Sequence, residues 1–257
     1  MAMPPQEKNR GLTPFQIFTA AQRPDLKQVG AVDEAWPPFM LHDPIGMRLF
    51  SKLYSYFPEF QLFLVDQNES VVGLGNSVPL RWDEAIANLP ETGWDWVLQK
   101  GAQDRETGLT SNLLSAVQIV ILPNFQGKGL SSTLVEGLRA VGRQHGMKTL
   151  VAPVRPNLKA RYCLTPIERY IKWTDGKGLP FDPWMRVHAR AGANIVKPAA
   201  RSMLITGTVA EWEEWTGIRF PETGAYVVPG ALVPVEIDLE KDLGRYVEPN
   251  VWMRHDL

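Results

Sequence analysis

The chain has 257 residues, 44% of them hydrophobic and 21% charged, with a formal net charge of -1; these are the proportions of a soluble globular protein with a substantial core. A near-neutral balance removes the global electrostatic reason to expect nucleic acid or an anionic membrane as a partner. The single cysteine, Cys163, excludes an intrachain disulfide and is read as a small buried or half-buried side chain.

Residues 1–12 carry no apolar run and lack the shape of a signal peptide. They are expected as a disordered lead-in to a single domain spanning 13–257. The most apolar short run, Ala116–Leu122, is far too short to span a bilayer, so the default expectation is a cytoplasmic protein. Phe15–Ala20 predicts a short strand. From Pro24, the spacing of Leu26, Val29, Val32 and Trp36 matches one helical face. Trp36–Pro44 contains three prolines and cannot be helical throughout. Leu49, Phe50, Leu53, Tyr54 and Phe57 predict a helix over Met47–Phe57. Phe60–Val65 and Val71–Gly75, joined by the polar Asp66–Ser70, read as a hairpin. Residues 83–112, punctuated by Pro90, Gly93, Gly101 and Gly108, read as an insertion pinned to the body by Trp94 and Trp96.

Ser115–Leu122 is the clearest strand. A helix follows from Leu130 to about His145, with Leu130, Leu134, Val135, Leu138 and Val141 on one face and Glu136, Arg139 and Arg143 on the other. Gly146 stands at its C-terminal cap, and Lys148–Val154 is the next strand. Strand, glycine turn, helix and strand make a βαβ unit whose strands should run parallel. Residues 163–182 read as a second insertion. Pro183–Ala191 is a short helix closed by Gly192, Ala193–Val196 and Ser202–Thr206 are strand-like, Val209–Thr216 is a helix carrying Trp212 and Trp215, and Ala231–Ile237 is a late strand in an extended C-terminal region.

Gln126-Gly-Lys-Gly-Leu-Ser131 joins the clearest strand to the clearest helix. A helix start leaves several N–H groups without an intrahelical acceptor and carries about half a positive charge. Glycine lets the chain turn sharply there and lets an anion reach the main chain without meeting a Cβ. Gly127 and Gly129 supply bare backbone, Lys128 a nearby positive charge, and Ser131 and Ser132 hydroxyls that can cap the helix. The stretch reads as a cradle for a phosphate or pyrophosphate. A Walker A loop is excluded, because Lys128 is followed by Gly129 rather than by serine or threonine. A dinucleotide fingerprint fits poorly, because Ser132 stands at its third glycine and the turn lies in mid-chain.

Gln126-Gly-Lys-Gly129-Leu-Ser131 resembles the Gln/Arg-x-x-Gly-x-Gly/Ala signature of the GNAT superfamily of N-acyltransferases, with serine at the last position. Val120–Phe125 resembles the strand and lead-in that precede it. Arg155-Pro-Asn157 with Ala160 resembles the Asn-x-x-Ala after the next strand, and Val187–Gly192 resembles the Leu-Tyr-x-x-x-Gly end of a later helix, with His188 where tyrosine is usual. The resemblance implies an α/β fold with a mixed, mostly antiparallel central sheet, a central βαβ unit and helices on both faces. It implies acyl-coenzyme A, most often acetyl-CoA, as co-substrate, no metal, and direct attack on the thioester by the amine of a small-molecule acceptor. It places the pyrophosphate on Gln126, Gly127, Lys128, Gly129, Leu130, Ser131 and Ser132, and the pantetheine arm along Ile119 and Ile121 with Asn157 holding it. The general acid at the sulfur is His188 or Tyr162. Asp182, Glu168 or a water chain would serve as base, since none stands out. Trp36, Phe39 and His42 would wall the acceptor site. A monomer or homodimer is expected, with no nucleic-acid or membrane partner. Two other readings stay open: a module that binds or senses acyl-CoA without turnover, and an accessory subunit of a biosynthetic assembly.

Overall fold

The computed structural model describes residues 15–26 and 36–257. The lead-in 1–12 and most of the helix expected from Pro24 to Trp36 lie outside the described residues. The strands are β1 (Phe15–Thr19), β2 (Gln61–Asp66), β3 (Val71–Leu80), β4 (Leu113–Ile121), β5 (Thr149–Val154), β6 (Asn194–Gly207), β7 (Gly224–Tyr226), β8 (Val235–Asp238) and β9 (Leu243–Asp256). The helices are α1 (Pro44–Leu49), α2 (Leu53–Tyr56), α3 (Gly93–Glu106), α4 (Leu130–Gln144), α5 (Ile167–Tyr170), α6 (Pro183–Arg190) and α7 (Val209–Thr216). The strands form one sheet in the order β1-β2-β3-β4-β5-β9-β8-β7, with β6 also paired to β9. Among the described strands only β4 and β5 pair in parallel; the sheet is otherwise antiparallel, the mixed α/β architecture expected.

The pleat of β3 separates the two faces. Gly73 and Gly75 face α4, where added Cβ atoms would meet Leu134. Asn76 faces α2, donating its amide N–H to Tyr54 Oη, and Val78 faces α3. This alternation is the period of two that any strand imposes. Helix α4 buries Leu130, Leu134, Val135, Leu138 and Val141 against the sheet, the apolar stripe its sequence predicts. No helix among the described residues is long and apolar enough to cross a membrane.

Three elements depart from the sequence reading. The helix expected over Met47–Phe57 is two short helices, α1 and α2, separated by a turn at 50–52. Inside the expected insertion 83–112 lies α3, 14 residues long. Its glycines read as helix breakers, yet Gly101 is where the helix touches the sheet: a Cβ there would stand 2.1 Å from Val78 Cγ1. The 14-residue β9 lacks a strand signature in the sequence because charged residues and Pro249 interrupt its apolar pattern. It nonetheless runs through the middle of the sheet, with β6 along one edge and β5 and β8 along the other, and with Trp252 fully buried. Together with α7 and β8 it carries a second apolar core built on Phe39, Trp212, Val235 and Tyr246.

Candidate active site

β4 and β5 pair only at Leu114–Leu150 and Ser115–Val151 and then part. A bulge helps to part them. Asn76 faces Gln118 while Ser77 faces Ala116, so Val117 is an extra residue on β4; a bulged strand bends away from its neighbour. The Val117 carbonyl accepts the indole N–H of Trp94 at 2.9 Å, which ties α3 to the bulge. Beyond this point a cleft of about 750 Å³ opens through the sheet, walled by Ile119 to Ile121 on one side and Ala152 to Arg155 on the other.

On the α4 face the cleft ends at the glycine turn. Gly127 and Gly129 have φ of 75° and 76°, in the left-handed region, and Gly129 is the N-cap of α4. A Cβ built at either glycine meets nothing within 4 Å, so the turn faces open space. Neither Ser131 nor Ser132 caps the helix: no side-chain cap hydrogen bond exists, and Ser132 N–H donates to the Gly129 carbonyl. Gln126 holds the turn from inside, its amide N–H donating to the Ile121 carbonyl at 3.0 Å. Bare N–H groups at the start of a 15-residue helix, with no side chain over them, fit a diphosphate.

The other face is acidic. Asp43, the N-cap of α1, is buried and lines the cleft; its Oδ1 accepts the Gly46 N–H at 2.6 Å. Glu248, fully buried, also lines it, but its charge is matched. Arg155 Nε donates to both Glu248 oxygens at 3.0 and 2.9 Å, Tyr246 Oη donates at 2.9 Å and Asn250 Nδ2 at 3.0 Å. Ser202 Oγ donates to Asn250 Oδ1 and accepts the Trp94 N–H, joining the network to α3.

At the α6 side stands His188, buried, with Nδ1 2.9 Å from Nε2 of His255 on β9. Burial, then the neighbouring His255, pushes the His188 pKa down to about 3. Burial, then the Arg139 charge, pushes His255 down to about 4. Both rings are neutral at physiological pH, so each has one N–H donor and one bare nitrogen.

The structure brings Ile119, Ile121, Gln126, Gly127, Gly129, Leu130, Ser131, Asn157, His188 and Trp36 around this cleft. It leaves out seven other residues singled out in the sequence. Lys128 lies over the Phe125 ring, 5.0 Å from its centroid, and Ser132 is exposed outside the cleft lining. Tyr162 is 37% exposed and packs edge-on against Trp173, so it does not reach the cleft. Phe39 is buried between Trp212 and Tyr246, and His42 stacks on Trp215 at 4.2 Å. The wall expected from Phe39 and His42 is built instead from Trp36, Met40, Leu41 and Asp43. Asp182 is spent as the N-cap of α6 and on Tyr170 Oη and Leu158 N–H, and neither it nor Glu168 lines the cleft. Sequence reading missed Arg155, Glu248, Asn250 and His255 as site residues. Only Arg155 stands beside a recognisable motif; the other three are on β9, which has no strand signature in the sequence.

The family described as Acetyltransferase (GNAT) family matches residues 30–164. An Aspergillus versicolor protein named Arginine N-acetyltransferase avaD is 32% identical, over 95% of this chain and 94% of its own. The chain belongs to the GNAT acetyltransferase family. Among solved structures, the loading GNATL domain of CurA from Lyngbya majuscula superposes with a TM-score of 0.53 at 17% identity, covering 94% of this chain and 97% of that one. A GphF GNAT-like decarboxylase in complex with isobutyryl-CoA gives a TM-score of 0.48 at 16% identity, covering 90% and 97%. The GNAT chain described here is thus an N-acyltransferase that transfers an acyl group to an amine.

Proposed function

We propose that this GNAT enzyme transfers an acetyl group from acetyl-coenzyme A to a cationic amine of amino-acid size. One observation carries the reading. A single cleft crosses the sheet where β4 and β5 part, with an open backbone cradle on the α4 face and a buried carboxyl, Asp43, on the α1 face. The relative's name makes arginine the first acceptor to test. The reading includes a cytoplasmic location, a monomer or homodimer, and no nucleic-acid or membrane partner.

In this reading the N–H groups from Gly127 to Ser131 hold the pyrophosphate. The edge of β4 at Ile119 and Ile121, which has left β5, holds the pantetheine arm as an added strand does, and Asn157 steadies it. The tautomer in which His255 Nε2–H donates to His188 Nδ1 leaves His188 with Nε2–H as its donor, suited to meet the departing sulfur. Backbone N–H groups beside the gap stabilise the oxyanion, a contribution of about 3 kcal/mol per donor in acyl-transfer sites.

Acetyl-CoA is expected to raise the melting temperature of the wild-type protein, and Gly129→Glu to abolish that rise by placing bulk and negative charge in the cradle. With arginine, agmatine, ornithine and lysine offered in turn, coenzyme A thiol should appear in step with at least one. An undiminished rise in the variant, or thiol release with none of these amines, would overturn the reading.

A further inference from the structure

Asp43 and Asp95 meet between two cavities. Asp43 lines the main cleft. Asp95, in the first turn of α3, lines a second cleft of about 290 Å³ bordered by the exposed Arg201 and Arg245. Each carboxyl uses one oxygen on a backbone N–H: Asp43 Oδ1 accepts from Gly46 at 2.6 Å and Asp95 Oδ2 from Leu204 at 3.2 Å. Each keeps one buried oxygen without such a donor, Asp43 Oδ2 and Asp95 Oδ1. The two carboxyls act on each other's protonation, and two buried carboxyls in such proximity resist carrying a full charge each.

Burial raises both groups, Asp95 to about 8, with the neighbouring Asp43 next in effect. The other groups facing the pair are few. Glu248 on β9 repels a second negative charge on both, and it is held by Arg155. Arg201 on β6 and Arg245 on β9 are the cations at the outer cleft. Both carboxyls are thus held above the ordinary carboxylate range, with Asp43 on the main cleft and Asp95 on the outer one.

We propose that Asp43 is the general base for the acceptor amine and that Asp95 is its positioning partner, sharing the proton and passing it to the second cleft. This rests on the amine-acetylation reading above. The acceptor arrives as an ammonium ion. One of its protons moves to the pair, which goes from one proton to two. The freed lone pair forms the C–N bond, the thioester C–S bond breaks, and its electron pair leaves with coenzyme A as thiolate. The second proton on nitrogen passes to the thiolate. The pair then releases one proton to water in the outer cleft. One ammonium and one thioester have become one amide, one thiol and one proton.

The test is the pH profile of kcat/KM for Asp43→Asn and Asp95→Asn, with whichever of the four amines is turned over. Asparagine also caps helices well, so α1 is retained, and the acetyl-CoA melting shift of each variant checks the cofactor half independently. No shift even in the wild type would sink the N-acetyltransferase reading instead. Asp43→Asn should lose about 10²–10⁴-fold in kcat at pH 7. Its profile should climb about tenfold per pH unit between 7 and 9, following the free amine in solution, where the wild type levels off. Asp95→Asn should lose one ionisation from the profile and shift the acid limb to lower pH, because the amide can donate to Asp43 but cannot hold a shared proton. A parallel drop with unchanged shape in Asp43→Asn, or a wild-type profile in Asp95→Asn, would overturn the assignment.

Discussion

On the α4 face, the cleft is made of main chain from one continuous stretch, Ile119 to Ser131. On the α1 face it is made of side chains from three separate stretches: Asp43, Arg155 and the Glu248–Asn250 segment. The first half binds by geometry and leaves its charge in partial dipoles. The second buries full charges and must neutralise each with a partner or a proton. A backbone site tolerates substitution wherever no side chain enters it. A site of buried charges fails when one partner is removed.

The largest effect should come from breaking the acidic half. Glu248→Ala leaves the Arg155 guanidinium buried with only the Gly230 carbonyl as partner. It is expected to cost about 3–5 kcal/mol in urea unfolding, the range for a broken buried pair. Glu248→Gln, which keeps an acceptor, should cost less. Equal costs would show that the charge of Glu248 is not what Arg155 needs.

The buried histidine pair and the buried acidic pair should also respond to pH with opposite signs. The His188 and His255 pKa values lie below the ordinary 6.5, at about 3 and about 4. The unfolded chain therefore binds protons first as pH falls, and stability is kept above 6.5 and lost from 6.5 toward 4. Asp95 is displaced the other way, from 3.8 to about 8. The folded state then holds the extra proton, and its contribution is full at low pH and declines as pH rises from 4 to 8. Melting temperatures should show the acid-side loss flattened in the His188→Gln/His255→Gln double variant and the alkaline-side loss flattened in Asp95→Asn. Swapped effects would contradict the assignment of the two slopes.

The smallest effect belongs to Lys128. It is exposed and lies over Phe125 rather than in the cleft, so Lys128→Ala should weaken acetyl-CoA binding only two- to five-fold, within the range of exposed charges, and less at high salt. A loss of a hundredfold in titration calorimetry would mean that the cradle is a side-chain site after all.

The same contrast decides what was legible in the sequence. The cradle is local: an apolar strand, two glycines and an amphipathic helix follow one another within 30 residues, so its fold and its chemistry could be read together. His188 was visible by its place in a helix that Gly192 closes; its partner His255, 67 positions later, was not. Asp43 was seen only as part of a proline-rich wall, because nothing in residues 36–44 reveals that α3 will set Asp95 against it. Helix α3 was hidden because Gly101, a breaker in isolation, is a contact point in the fold. Strand β9 was hidden because Arg245, Glu248 and Pro249 break its alternation, although Glu248 is neutralised by Arg155 only once β5 ends beside it.

The most direct test of the central claim is a crystal structure with acetyl-CoA bound. It should place the diphosphate within hydrogen-bonding distance of the N–H groups from Gly127 to Ser131 and the thioester between β4 and β5, open toward Asp43 on the other face. A diphosphate bound elsewhere, or a thioester screened from Asp43 by the sheet, would contradict the account.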